Sequence, residues 1–182
     1  CTAVALTGAG NIRTAQCPTT ALPVGGRSIV ATYAGDANNT GSASSTLSQT
    51  VNKAVSTTGV ASSANPSVVG ASVTFTATIV GVAPTGTVSF TVDGATITGC
   101  GSVALAGAGS TRSAQCPTAA LTAGVRSIVA TYGGDASNNG SASSTLSQTV
   151  TAAPGITTTT LASSENPSVA GSAVTFIATV TG

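Results

Sequence analysis

The chain has 182 residues, and Ser, Thr, Ala and Gly (24, 33, 32 and 22) make up 111 of them. Five residues are basic, four are acidic, and there is no His, Met or Trp. Ser-His-Asp and Cys-His machinery and His-bearing zinc sites are therefore excluded, and a net charge of +1 on scattered residues leaves no footprint for nucleic acid or an anionic membrane.

The composition is not that of a disordered chain, which combines low hydrophobicity with high net charge. Here 41% of residues are apolar. Val and Ala dominate them, and Val, Ile, Thr and Phe suit a pleated, half-buried surface. Abundant Gly between short Val/Thr runs reads as all-β. No run approaches the roughly 18 apolar residues of a membrane span. The first residues lack the basic start and apolar core of a signal peptide, so the chain reads as a segment of a longer secreted one.

A repeat organises the rest. Residues 1–51 align with 100–150 at an offset of 99, with 38 of 51 positions identical. Arg27 to Tyr33 recurs unchanged as Arg126 to Tyr132, and Gly41 to Val51 as Gly140 to Val150. Residues 63–81 match 164–182 at an offset of 101. Residues 1–51 are thus expected to be the C-terminal part of one repeat, 52–56 a linker, and 57–150 a complete repeat. Residues 151–156 read as a second linker and 157–182 as the N-terminal part of a further repeat. The counterpart of 82–99 is missing from both partial pieces.

Within the complete repeat, strand signals come every 8–15 residues, as in a sandwich or barrel. Thr57 to Ser63 is a first strand, ended by Asn65-Pro66. Val73, Phe75, Ala77 and Ile79 alternate with Thr74, Thr76 and Thr78, which puts one face in and one out. Val88, Phe90 and Val92 repeat the pattern, and Asp93-Gly94 marks a tight hairpin. Cys100 to Leu105 and Thr111 to Cys116 are expected to form a hairpin about Gly107-Ala108-Gly109. Ser127 to Tyr132 and Ser141 to Val150 close the unit. Seven or eight short strands in so few residues suggest an immunoglobulin-like β-sandwich.

The cysteines are the sharpest chemical feature. Cys1 and Cys17 are 16 apart, as are Cys100 and Cys116. That spacing, with no His nearby, is a poor metal signature. Placed symmetrically about Ala108, Cys100 and Cys116 are expected to face each other across a hairpin and form a disulfide, and Cys1–Cys17 likewise. Bonded cysteines imply an oxidising compartment. Tyr33 and Tyr132 each end a strand and read as corner tyrosines whose hydroxyls cap a loop. Asp36 with Asn38 and Asn39, and Asp135 with Asn138 and Asn139, read as turn chemistry. One carboxylate per loop falls short of a calcium site. Arg126 is expected to pair with a nearby acid. No cofactor or metal is expected.

The runs TTTTLASSENPSVAGSAVTF, PTGTVSF followed by Asp93-Gly94, RSIVATYGGD and STLSQTV resemble the bacterial immunoglobulin-like repeat domains of large secreted and cell-surface proteins. The resemblance covers the whole chain, apart from the unusual Cys pairs and the low charge. It implies a tandem, non-catalytic stalk, spacer or fibre shaft, extracellular or on the bacterial surface. Its partners would be neighbouring repeats of the same or an identical chain. Two other readings stand beside it. In one, the partial ends complete each other between chains as a head-to-tail homopolymer, using core-facing Val4, Leu6, Ile29 and Leu47 at one end and Val174 and Phe176 at the other. In the other, the chain is an adhesin or carbohydrate-binding module, which the near-identity of the repeats disfavours.

Overall fold

The computed structural model describes residues 1–182, with sixteen strands and no helix. Residues 1–51 hold β1 (Gly25–Ile29), β2 (Thr32–Tyr33), β3 (Ser42–Ala43) and β4 (Leu47–Val51). These form two small antiparallel pairs, β1 with β4 and β2 with β3.

Ten strands follow in the central repeat. They are β5 (Thr57–Ser62), β6 (Ser67–Val68), β7 (Val73–Val80), β8 (Thr87–Val92), β9 (Ala95–Thr96), β10 (Val103–Ala104), β11 (Thr111–Thr118), β12 (Gly124–Tyr132), β13 (Ser141–Ala142) and β14 (Leu146–Thr151). They build two sheets. One has the order β11-β7-β5 and is antiparallel. The other has the order β10-β8-β12-β14-β6, with β9 on β8 and β13 on β12. The last two strands of the chain, β15 (Thr158–Ser163) and β16 (Phe176–Thr181), pair with each other.

Alternation explains the core. Along β7, Val73, Phe75, Ala77 and Ile79 are fully buried while the Thr residues between them are not. From the facing sheet come Val88 and Phe90 of β8, Ile128, Ala130 and Tyr132 of β12, and Val150 of β14. Side chains of period two on both inner faces interdigitate into one core. The β8–β9 hairpin turns on Asp93 and Gly94, both at positive φ (50° and 83°), the two-residue turn suited to the strand twist.

The repeated sequence does not fold identically everywhere. Residues 111–118 are strand β11, whereas 12–19, which differ from them only at 12 and 14, form no strand. Nine continuous residues of β12 correspond to the shorter β1 and β2. Phe75 is 0% exposed and its counterpart Phe176 67%; Ile128 is 0% exposed and its counterpart Ile29 39%. The cause is the ladder partner. β11 lies against β7, and β12 against β8; nothing plays those parts beside 12–19 or 25–33. A strand forms and buries its face only when a neighbour takes its backbone bonds.

Candidate load-bearing site

Three features tie the central repeat together, two of them where the chain enters and leaves it. The first is the pairing of its opening and closing segments. After β5 the chain crosses from one sheet to the other through Asn65 and a cis Asn65–Pro66 peptide. It then runs as β6, parallel to β14, with Ser67 opposite Val150 and Val68 opposite Thr151. Polar side chains extend this contact. The Asn65 amide gives Nδ2 to the Ser147 carbonyl (2.7 Å) and takes the Thr149 N–H on Oδ1 (2.9 Å). Gln148, fully buried, gives Nε2 to the Ala64 carbonyl (2.9 Å) and Ser67 Oγ (3.2 Å). Val69 N–H reaches the Thr151 carbonyl, and Thr151 Oγ1 the Ser67 carbonyl. Sequence reading missed this clamp. Its one available signal is the phase of Leu146, Gln148 and Val150, which places a Gln on the inward face.

The second feature is the disulfide. Cys100 and Cys116 are bonded, with Cα atoms 5.7 Å apart, and both are buried. The hairpin geometry expected for them is not what forms. The only bridge between the two segments is Ala106 with Ser113. Extending that antiparallel register by three residues would set Cys116 opposite Val103, not Cys100. The loop is longer than a Gly-Ala-Gly turn, and β10 leaves at once to pair with β8. Cys100 takes the Phe90 N–H on its carbonyl, in the sheet of β8. Cys116 lies opposite Phe75, in the other sheet. The bond therefore staples sheet to sheet through the core. Cys1 and Cys17 are also bonded, with Cα atoms 5.9 Å apart, among exposed residues.

The third feature is the junction with the preceding residues. Tyr132 ends β12 buried, and its hydroxyl donates to Asp135 Oδ2 (2.9 Å). The same carboxylate takes the Thr85 N–H (2.7 Å), the Ser137 and Asn138 N–H groups (2.7 Å each) and the Asn138 amide. Burial alone would raise the Asp135 carboxyl. The donors from Thr85, Asn138 and Ser137 outweigh it and hold the group well below the ordinary range. Burial, then Asp135, holds the Tyr132 phenol above its usual value, so it stays a donor. Asn138, fully buried, then takes the Val82 N–H (2.7 Å) and donates to the Val82 carbonyl (3.0 Å). A Cβ on Gly81 would stand 2.6 Å from Asn138 Oδ1, and one on Gly134, at φ +81°, 2.7 Å from the Gly140 nitrogen. Both positions need glycine for close approach.

The incoming chain lies on this loop. Ala54 N–H donates to the Ser137 carbonyl, and Asn139 N–H to the Ala54 carbonyl, 2.8 Å each. Lys53 Nζ reaches the Asp135 carbonyl (2.6 Å), and Ser56 Oγ the Asn139 carbonyl (2.6 Å). Only Asn52 separates the end of β4 from this latch. In a 15N relaxation experiment on the chain, the Ala54 and Ser56 amides should show heteronuclear NOE values equal to those of β7. Values typical of a mobile linker would remove the latch.

The other expected site residues are placed as follows. Tyr33, half-buried, donates to Asp36 Oδ2 (2.6 Å). That bond, with the Asn38 N–H and the Asn39 amide, lowers the Asp36 carboxyl to about 2. Arg126 pairs with Asp93 at 3.1 Å. The Ser127 N–H, then Arg126, lowers the Asp93 carboxyl. Val4, Leu6, Ile29, Leu47 and Phe176 are exposed, while Val174 is half-buried.

Two facing sheets, with the first strand crossing from one to the other, define an immunoglobulin-like β-sandwich. Residues 60–151 match the family model of the bacterial Ig-like domain (group 3), and the chain belongs to that family. A search of curated proteins finds no match to the chain. Domains of this family are generally structural and non-catalytic. With disulfides, they are typical of extracellular or surface proteins.

Proposed function

We propose that this chain is a load-bearing spacer in an extracellular bacterial stalk or fibre, and that it catalyses nothing. The observation that carries this reading is the parallel contact of β6 with β14. Tension enters the repeat ahead of β5 and leaves after β14. It draws two parallel strands past each other along their length. All the bonds of the clamp then resist together, whereas an antiparallel pair pulled at one end opens a bond at a time. The inter-sheet disulfide keeps the two halves of the core joined even if the clamp yields. The latch at Lys53 to Ser56 passes the load on without a free hinge.

Near-identical repeats suit such a part, since a rod made of local units sums their stabilities. Low charge and the absence of His suit a persistent material. Neighbouring copies of the repeat, in this chain or an identical one, are the partners this reading requires. Single-molecule pulling tests it. Stretched between residues ahead of 57 and after 151, the oxidised repeat should unfold in one event at a distinct force. Extension without a force peak would contradict a load-bearing role.

A further inference from the structure

Of the chain's eight asparagines only Asn139 precedes a glycine. Asparagine is among the thermolabile residues, and a following glycine makes it more so. With no Cβ beside it, the glycine nitrogen approaches the preceding side-chain carbonyl freely. The fold withholds several other asparagines from this chemistry. Asn65 and Asn166 precede prolines, which have no N–H. Asn138 is fully buried, and its amide is held by Val82 and Asp135. Asn39, its counterpart in residues 1–51, is tied to Asp36. Asn139 differs from these. It is exposed, and only its backbone is engaged, the N–H by the Ala54 carbonyl and the carbonyl by Ser56 Oγ. The Gly140 N–H donates no hydrogen bond to the backbone, so ring closure on that nitrogen breaks none.

We propose that Asn139 is a self-modification site whose conversion releases the latch at Ala54 and Ser56. The Gly140 nitrogen attacks the side-chain carbon Cγ of Asn139. The new N–Cγ bond closes a succinimide ring and the Cγ–Nδ2 bond breaks. Nδ2 leaves as ammonia, taking up the proton lost from Gly140. Water then opens the ring. Addition at Cγ gives aspartate. Addition at the Asn139 backbone carbonyl gives isoaspartate, with the main chain rerouted through Cβ and Cγ. Water is the only co-reactant, and nothing is oxidised. Isoaspartate is the form that opens the latch. It lengthens the main chain between Asn138 and Gly140 by one methylene, where there is no slack. A Cβ on Gly140 would already stand 2.9 Å from the Tyr132 carbonyl oxygen. The carbonyl that accepts Ser56 Oγ becomes a carboxylate off the main chain. Packing therefore requires the glycine, and the reactivity comes from the residue before it. Residues 1–51 keep the glycine as Gly41, also 3.0 Å short of room, and carry Thr40 in place of asparagine. Asp93 also precedes a glycine, but its carboxylate is tied to the Ser127 N–H and Arg126 and is a poor target for attack. The proposal needs the latch and not the load-bearing reading.

The test uses the whole folded chain, aged at neutral and mildly alkaline pH. Asn139 should convert at least about tenfold faster than any other asparagine, because only glycine leaves the attacking nitrogen unscreened. Peptide mapping by mass spectrometry follows the change from amide to acid. A protease that cuts before aspartate and not before isoaspartate separates the two products. The rate should rise with pH, since the attacking nitrogen must lose its proton. In the aged chain the heteronuclear NOE of the Ala54 and Ser56 amides should fall while those of β7 hold. Asn139→Thr, which copies the Thr40–Gly41 pair, should stay unmodified and keep both values on ageing. A folded chain that keeps Asn139 intact while the denatured chain converts would overturn the proposal, since the loop would then protect it. So would conversion that leaves Ala54 and Ser56 as rigid as before, or an equal loss of rigidity in Asn139→Thr.

Discussion

Replacing Cys100 and Cys116 together by alanine should lower the stability of the central repeat by about 3 kcal/mol, the loop-closure value for a ring of this size. For a domain of under 100 residues that corresponds to a fall in Tm of roughly 12–24 °C. The loss is a large share of the whole, because a domain of this kind is stable by only about 5–15 kcal/mol. The core is small in volume, with Val, Ala and Ile supplying much of it. The two sulfurs sit inside it and join opposite sheets, so alanine there also leaves space that the packing cannot fill. The same change at Cys1 and Cys17 should leave the midpoint of the central repeat where it was. Chemical denaturation followed by circular dichroism measures both. A loss under about 1 kcal/mol at Cys100 and Cys116 would show that the bond is incidental to the fold.

Asp135→Asn should cost about 2 kcal/mol at neutral pH. Hydrogen bonds to a charged acceptor are worth more than neutral ones, and partial exposure of the carboxylate moderates the figure. The substituted amide keeps the shape but replaces one acceptor oxygen by a donor, turned either toward the Thr85 N–H or toward the N–H groups of Ser137 and Asn138. The Asn138 amide, which holds Val82, is loosened with it. The pH dependence follows from the direction of the shift. The folded carboxyl lies below its unfolded value of 3.8. Its contribution is therefore complete above that value and is lost as the pH falls towards the folded one. The wild-type midpoint should drop on acidification through this window, and the difference between wild type and Asp135→Asn should shrink. Denaturation midpoints from neutral pH down to about pH 2 give the answer. A gap that is independent of pH would place the stabilisation elsewhere.

Much of the sandwich was legible because one face of each long strand is buried. Val73 to Ile79 announces β7, and Asp93-Gly94 announces the β8–β9 turn. The two-residue strand β6 was not legible. Ser67 and Val68 carry no alternation, and their pairing depends on a crossing set by Asn65 and Gln148. The disulfide geometry was misread because even spacing about a presumed turn centre says nothing of a strand that leaves for the other sheet. The junction was illegible for a different reason: Lys53, Ala54 and Ser56 contact residues more than 80 positions away. The clearest lesson lies in identical sequence with unequal structure. RSIVATY is one continuous strand beside β8 and two short ones without it. Periodicity marks which face will be buried, and only a partner buries it.

Pulling direction tests the account most directly. Single oxidised chains would be stretched in two geometries, once between attachment points just before Thr57 and just after Thr151, and once between Gly81 and Ser110, at the adjacent ends of β7 and β11. The first loads the β6–β14 clamp in shear, and the second opens β7 from β11 across a stretch of chain that contains neither β6 nor β14. The account predicts a higher unfolding force in the first geometry, lowered by Gln148→Ala. Reduction of Cys100–Cys116 should then add about 50 Å of chain to the release. Equal forces in the two geometries, or no effect of Gln148→Ala, would contradict it.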